Sequence, residues 1–412
     1  MAPDSGDSNP LQFLLGDLMN MLGTNGPDQW EMTRSFGLNV ATGGTPEPNV
    51  DPMARIRLEE LARVAELHVI EATGMPVSSD GRRLTCVPAG QGEWTLRALD
   101  SWRSPLTTMA PTPSAPPPPG AETEPDLSLE PDPTGGLGEL IGKWASAIGP
   151  MFFGLQVGSV VGHLSHRALG QYVLALPWTP SDELLVVTGN IATFAEDWSI
   201  PEEEALLWVC ARELASHTVL SRPMVRVRME ELLAEVASSA AATQQGLADR
   251  LSSLGDPSGA SGMDLESLQG MFGDPEALLG DLLTPESRRS SDRLTAVAVV
   301  IDAYADHIAE RVGRTLVGSH AQLAEAWYRR RIERGKGEEA AGALFGLDLD
   351  QAQVDRGRAF IVGVIERAGD EALGRLWASS RNLPTPAEVD APGLWLERIS
   401  LPELEDPGPA GT

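Results

Sequence analysis

Cysteine, basic residues and aromatic side chains are all scarce in this sequence. The two cysteines, Cys86 and Cys210, have no short spacing, which excludes a disulfide framework or a cysteine-type metal site and is typical of a reducing compartment. Lys and Arg number 31 against 59 Asp and Glu, which gives a net charge of −28. A chain so poor in basic residues lacks the positive face that nucleic acids and anionic lipids require, so we expect neither as a partner.

Targeting and membrane-spanning signals are also missing. Residues 1–10 are acidic and lack the positive charge that begins a signal peptide. The longest uncharged run, residues 145–162, is about 18 residues long, the lower limit for a membrane span, and Pro150 and Gln156 interrupt it. We therefore expect a buried core helix at this position and a cytoplasmic protein.

Apolar residues recur at helical spacing along most of the chain. This periodicity predicts helices near residues 11–23, 52–72, 88–103 and 291–312. Residues 184–187 form one short β-type run. The pattern predicts a mainly α fold with few short strands.

A Pro-rich, acidic segment divides the chain. Residues 104–136 cannot bury much apolar surface, so we interpret them as a disordered linker or insertion. The predicted organisation is an N-terminal helical part, this insertion, a helical core and a disordered tail, with boundaries 1–103, 104–136, 137–400 and 401–412.

The segment after Trp198 has a strong helix start. Ser199 is a candidate cap, Pro201 suits the first turn, and Glu202, Glu203 and Glu204 suit the positive end of the helix. The helix is predicted to cover residues 201–221, beside a second central helix at 291–312.

Several blocks in order carry a family resemblance. They lie at residues 26–30, 161–172, 184–194, 208–217, 272–279, 301–307 and 383–388. Together they resemble the zincin-like proteins widespread in actinobacteria, which are catalogued as zinc-dependent metalloproteases or hydrolases. The resemblance implies a zincin-like helical fold with zinc held by intact members.

The zinc-binding motif of that family is degenerate in this chain. Zinc proteases of this type place two His at i and i+4 on one helix, with a general-base Glu after the first. The matching residues are Arg212, Glu213 and Ser216, so only the Glu is retained. Asp302 stands where the family has the glutamate ligand.

These replacements change the chemistry expected of the site. Arginine has no lone pair for a metal and stays charged, and serine is a poor zinc ligand. We expect no cofactor, and we expect Arg212 to occupy the vacated space and pair with Asp302 and Glu213. The resemblance then implies a pseudo-enzyme whose former cleft holds a peptide or protein partner.

Two other functions stay open. A shifted metal site could use His217, Asp302, Asp306 or His307, which would make the chain an active zinc metalloprotease. Against this, one residue along a helix rotates a side chain by about 100°, which turns His217 away from the old site. A structural or oligomerisation role is the third possibility.

Overall fold

The computed structural model describes residues 29–48, 51–78, 81–111, 136–254 and 285–401. Side chains are described for these residues except 136–149, 244–254 and 285–286. The described chain is mainly helical, with two short strands, so the predicted fold class is confirmed. The helix expected at 11–23 and the tail at 402–412 lie outside the described residues.

The N-terminal part contains α1 (Gln29–Thr42) and α2 (Pro52–Thr73). The carboxylate of Asp51 accepts a hydrogen bond from the Met53 N–H, and Pro52 opens the helix, where its missing N–H costs nothing. Gly74, at φ 65°, ends α2 in the left-handed conformation that glycine adopts without steric cost. Both ends of α2 are thus set by local sequence.

Two short strands form the sheet of the described chain. Strands β1 (Thr85–Pro88) and β2 (Glu183–Val186) pair in parallel, with Cys86 opposite Leu184. Three of four residues in each strand are buried, as expected for a parallel pair covered by helices. Cys86 is a buried free thiol, as is Cys210.

Helices α3 (Gln91–Ser101) and α4 (Arg103–Met109) follow β1. Helix α4 includes residues 104–109 of the segment that the sequence assigns to a linker, and the predicted domain boundaries stay a prediction. The physical reason for this helix is the i, i+3 pair Leu106 and Met109, whose side chains are buried in the core. Residues 112–135 of the predicted insertion lie outside the described residues.

Helix α5 (Gly136–Ser165) contains the uncharged run 145–162, and α6 (Thr188–Asp197) follows β2. Val157, Val161 and Leu164 of α5 are buried in the core. Among the described helices, none has the length and apolar character needed to cross a bilayer.

Two central helices position the candidate site. Helix α7 (Glu202–Leu220) packs against α2 and α6, and its residues 205–220 are all buried. Helix α9 (Pro285–Leu316) packs along α7. Because residues 205–220 of α7 are all buried, a charged side chain among them needs an internal partner.

The remaining helices complete the core. They are α8 (Pro223–Leu254), α10 (His320–Ile332), α11 (Lys336–Phe345), α12 (Gln351–Ala368), α13 (Pro386–Val389) and α14 (Pro392–Ser400). Two 3₁₀ segments, Asp370–Trp377 and Ser380–Asn382, join α12 to α13. Helix α10 brings an arginine-rich end toward α9 and the site.

Candidate functional site

Arg212 lies at the middle of the buried helix α7 and is only 3% exposed. Its Nη2 donates to Asp302 Oδ1 at 2.7 Å, and its Nε donates to Asp306 Oδ1 at 2.9 Å. Its Nη1 donates to the Tyr172 carbonyl oxygen at 3.2 Å and to Glu213 Oε1 at 3.3 Å. All three guanidinium nitrogens are therefore hydrogen-bonded, and the predicted pairing with Asp302 and Glu213 is present.

A second arginine closes the arrangement from α10. Arg331 donates from Nη1 to Asp306 Oδ2 at 2.7 Å and from Nη2 to Asp302 Oδ2 at 3.1 Å. Asp302 and Asp306 are one turn apart on α9, so both carboxylates face the same side. We call Arg212, Arg331, Asp302 and Asp306 the charge cluster. Its two positive and two negative charges cancel, because a buried charge without an opposite partner would strongly destabilise the fold.

Trp327 covers the charge cluster from the same helix as Arg331. Its indole Nε1–H donates to Asp306 Oδ1 at 2.9 Å. The Arg212 guanidinium carbon lies 4.8 Å from the centre of the Trp327 ring, a cation–π distance. The carboxylate of Asp306 thus accepts hydrogen bonds from three side chains. Burial raises the pKa of Asp306, but the charges of Arg331 and Arg212 and these hydrogen bonds outweigh burial, so the pKa is lowered.

Glu213 points toward the loop before β2. Its Oε2 accepts a hydrogen bond from the Tyr172 backbone N–H at 2.7 Å. Gly170 lets the loop approach this closely, because a Cβ at that position would stand 2.4 Å from Glu213 side-chain carbons. The Tyr172 backbone therefore holds both neighbours on α7, accepting from Arg212 and donating to Glu213.

The protonation of Glu213 is shifted by its surroundings. Burial raises the pKa of Glu213 to about 7, against the lowering effects of Arg212 and of the Tyr172 N–H. The negative charge of Asp302 adds to this rise. Burial also raises the pKa of the Tyr172 hydroxyl, and the Glu213 charge adds to that rise.

The residues considered for a shifted metal site have separate hydrogen-bond partners in the structure. The His217 Nδ1 lies 2.9 Å from the Tyr172 hydroxyl, and both residues line a cavity of about 400 Å³. The His307 Nε2 lies 2.6 Å from Asp370 Oδ1. Asp306 belongs to the charge cluster, and Ser216 is buried on α7. Within the described residues, no group of three or more His, Cys, Asp or Glu side chains could hold a metal ion.

Sequence reasoning did not identify three residues of the site. Arg331 lies in the arginine-rich run 329–334, Tyr172 ends the family block 161–172, and Trp327 belongs to no motif or block. Their roles depend on how α10 and the loop before β2 lie against α7, which no local pattern in the sequence specifies.

Arg212, Ser216 and Asp302 occupy the positions of the family's three zinc ligands, but their side chains do not suit a zinc ion. Arg212 presents protonated nitrogens only, and Ser216 offers a neutral hydroxyl. Both oxygens of Asp302 already accept hydrogen bonds from guanidiniums, at 2.7 and 3.1 Å. The side chains of the site neutralise one another's charges, and they leave no set of free ligand atoms for a cation.

The fold and site define a helical protein whose two central helices surround a buried ionic site. The chain belongs to the zincin-like metallopeptidase family, whose model matches residues 29–396. Its fold is similar to that of a crystal structure from Chloroflexus aurantiacus, described as "a putative hydrolase with a novel fold". That similarity has a TM-score of 0.60 at 22% identity and covers 91% of this chain and 99% of the other. No curated protein matches the chain.

Proposed function

We propose that this chain is a non-catalytic member of its family, in which the charge cluster replaces the zinc centre and the former active-site cleft, lined by Arg212, Asp302 and Trp327, binds a peptide or protein partner. One observation carries the proposal: the guanidinium of Arg212 is buried and hydrogen-bonded at each nitrogen. A permanent cation in this position repels a metal ion, and its carboxylate partners are neutralised.

The loss of zinc would remove the nucleophile. Zinc lowers the pKa of a bound water from 15.7 to about 7, and no other group of the cluster supplies a comparable Lewis acid. Glu213 keeps the family's general-base position, but its Oε2 is engaged by the Tyr172 N–H. A base without an activated water has little to deprotonate, which favours a binding role.

One observation favours a second candidate function, an active zinc-dependent peptidase with a shifted metal site. The pKa of Glu213 is raised to about 7, within the range that suits a general base at neutral pH. Such a site would have to draw on His217, Asp306 or His307, which would require each of them to leave its present hydrogen-bond partner.

Metal analysis distinguishes the two functions. Full-length protein is purified after growth with added zinc, and its zinc content is measured by mass spectrometry beside that of an Arg212→His, Ser216→His double variant. We expect little zinc in the natural protein and about one ion per chain in the variant, because the variant restores two imidazoles at i and i+4.

A matched control separates metal binding from catalysis. Adding Glu213→Gln to the double variant should leave zinc binding intact and abolish any chelator-sensitive peptide cleavage, since the general base is gone. Stoichiometric zinc in the natural protein, with cleavage that a chelator stops, would overturn the non-catalytic proposal and establish the second candidate.

A further inference from the structure

The charge cluster lies at one wall of a small cavity of about 50 Å³ that we call the cleft. Five arginines and three acids line it: Arg167, Arg212, Arg330, Arg331 and Arg334, with Glu213, Asp302 and Glu338. The lining therefore carries 5 − 3 = +2 charges, or +1 when Asp306 behind it is included. This local excess is opposite in sign to the −28 of the whole chain.

Three of the five arginines have carboxylate partners. Arg212 and Arg331 bind Asp302 and Asp306 in the charge cluster. Arg167 donates from Nε to Glu338 Oε2 at 3.0 Å. Their charges are compensated inside the protein, so these three arginines contribute little free attraction for a ligand.

The other two arginines, Arg330 and Arg334, lack such partners and are called the rim arginines here. Arg330 donates to the Arg167 carbonyl oxygen at 2.6 Å and lies over the Phe194 ring at 5.5 Å. Within the described part of the chain it forms no ion pair, and the Arg334 guanidinium forms neither an ion pair nor a hydrogen bond. Arg334 is nevertheless partly buried.

The electrostatic surroundings of the rim arginines agree with this geometry. Burial lowers the pKa of Arg330 to about 10, and the nearby Arg167 charge lowers it further. Burial also lowers the pKa of Arg334. A guanidinium with a nearby carboxylate is stabilised as a cation instead, as the raised pKa of Arg331 shows. The rim arginines are thus cations whose nearby carboxylates, Glu338 among them, raise the pKa less than burial lowers it.

We propose that the rim arginines bind a carboxylate group of the ligand that enters the cleft. The guanidinium fork matches a carboxylate in plane and donor spacing, and such a pair is strongest where water is partly excluded. This inference deepens the proposed binding function and rests on it, because it names the chemical group that the cleft recognises.

The test uses the full chain and a small dicarboxylate, succinate, titrated in a calorimeter at constant ionic strength. Succinamide serves as the neutral probe of the same shape, and inorganic phosphate as the anion of different shape. Constant ionic strength matters because the −28 charge of the chain repels any anion at long range. We expect succinate to bind and succinamide not to bind.

The variants are Arg334→Gln and Arg330→Gln, and the matched control is Arg329→Gln. Arg329 precedes the rim arginines on α10 but is exposed and paired with Glu325, so its loss removes the same charge outside the cleft. We expect each rim variant to weaken succinate binding about tenfold or more, and the control to change it less than about twofold.

Each other outcome overturns the proposal. Absence of succinate binding to the natural protein, equal binding of succinamide, phosphate binding without succinate binding, or unchanged affinity in both rim variants would do so. The result is independent of the zinc measurement. A zinc-free chain that ignores succinate contradicts only the carboxylate proposal, while a zinc-loaded chain that binds succinate through Arg334 contradicts only the non-catalytic one.

Discussion

The charge cluster and the rim arginines line one cleft, yet their arginines have opposite surroundings. Arg331 has two carboxylates within 3.1 Å, whereas Arg334, three residues later, has none within ion-pair distance in the described chain. The difference shows what decides the role of a partly buried arginine. An arginine with carboxylates within ion-pair distance stabilises the fold, whereas one without them is available to a ligand.

The largest effect is expected from a substitution that removes one positive charge from the charge cluster. Arg212→Met leaves one guanidinium for two carboxylates, the buried Asp302 and the partly buried Asp306, so we expect the free energy of unfolding to fall by about 3–5 kcal/mol. The measurement is chemical denaturation at neutral pH. The control is Arg314→Met on α9, whose exposed pair with Glu310 is worth less than about 1 kcal/mol.

A double-mutant cycle sharpens this result. Arg212→Met combined with Asp302→Asn restores neutrality, so the pair should cost less than the sum of the two single changes by about 1–3 kcal/mol. Simple additivity of the two changes would show that the arginine contributes through packing rather than through its charge.

The next effect concerns the pH dependence of stability. The pKa of Glu213 rises from 4.5 to about 7 on folding, so the folded state holds its proton more tightly than the unfolded state. The stabilisation is complete below pH 4.5 and is lost as the pH rises through 7, a change of about 3 kcal/mol.

Glu213→Gln should remove the loss of stability that the natural protein shows as the pH rises through 7. We expect the variant's free energy of unfolding to change less than that of the natural protein between pH 4.5 and 8, measured by urea denaturation at several pH values. The lowered pKa of Asp306 acts at lower pH, because its stabilisation disappears only as the pH falls through its folded-state pKa. Parallel pH profiles for the two proteins would contradict the raised pKa.

Much of the fold could be predicted from the sequence, because helix signals are local. The apolar spacing at 52–72 and 291–312 corresponds to helices Pro52–Thr73 and Pro285–Leu316. Helix starts were less exact: Ser199 was predicted to cap α7, but it has φ 51°, and the helix follows Pro201 instead. Three acids in the first turn fix the beginning of α7 without that cap.

The candidate site could be predicted only in part. The contact between Arg212 and Asp302 followed from matching both residues to one former metal centre. The roles of Arg331 and Tyr172 could not follow, because they depend on long-range packing of α10 and of the loop at Gly170 against α7. The four arginines at positions 329, 330, 331 and 334 stand in a strongly acidic chain, a composition that predicts ion pairs with acids of the same chain. Arg329 and Arg331 form such ion pairs, whereas Arg330 and Arg334 form none in the described chain.

A smaller effect is expected at Tyr172, on the loop before β2. Tyr172→Phe keeps the backbone contacts to Arg212 and Glu213 but removes the hydroxyl that lies 2.9 Å from His217 Nδ1. The loss of one buried hydrogen bond should lower the free energy of unfolding by about 0.5–1.5 kcal/mol. Zinc content and succinate affinity should not change; a change in either would place Tyr172 in the binding machinery rather than in the support of the loop.

The smallest effect is expected at Arg334, in a comparison that makes the same substitution at two arginines three positions apart, one in the charge cluster and one at the rim. Arg331→Gln should destabilise the protein by about 3 kcal/mol, because it leaves Asp302 and Asp306 with one partner. Arg334→Gln should change the free energy of unfolding by less than about 0.5 kcal/mol, since no internal carboxylate or hydrogen bond is lost and an uncompensated cation is removed. Denaturation of both variants in the same buffer, without carboxylates, is the measurement. A large loss at Arg334 would mean that the fold already uses its charge, and the distinction between the charge cluster and the rim arginines would then disappear.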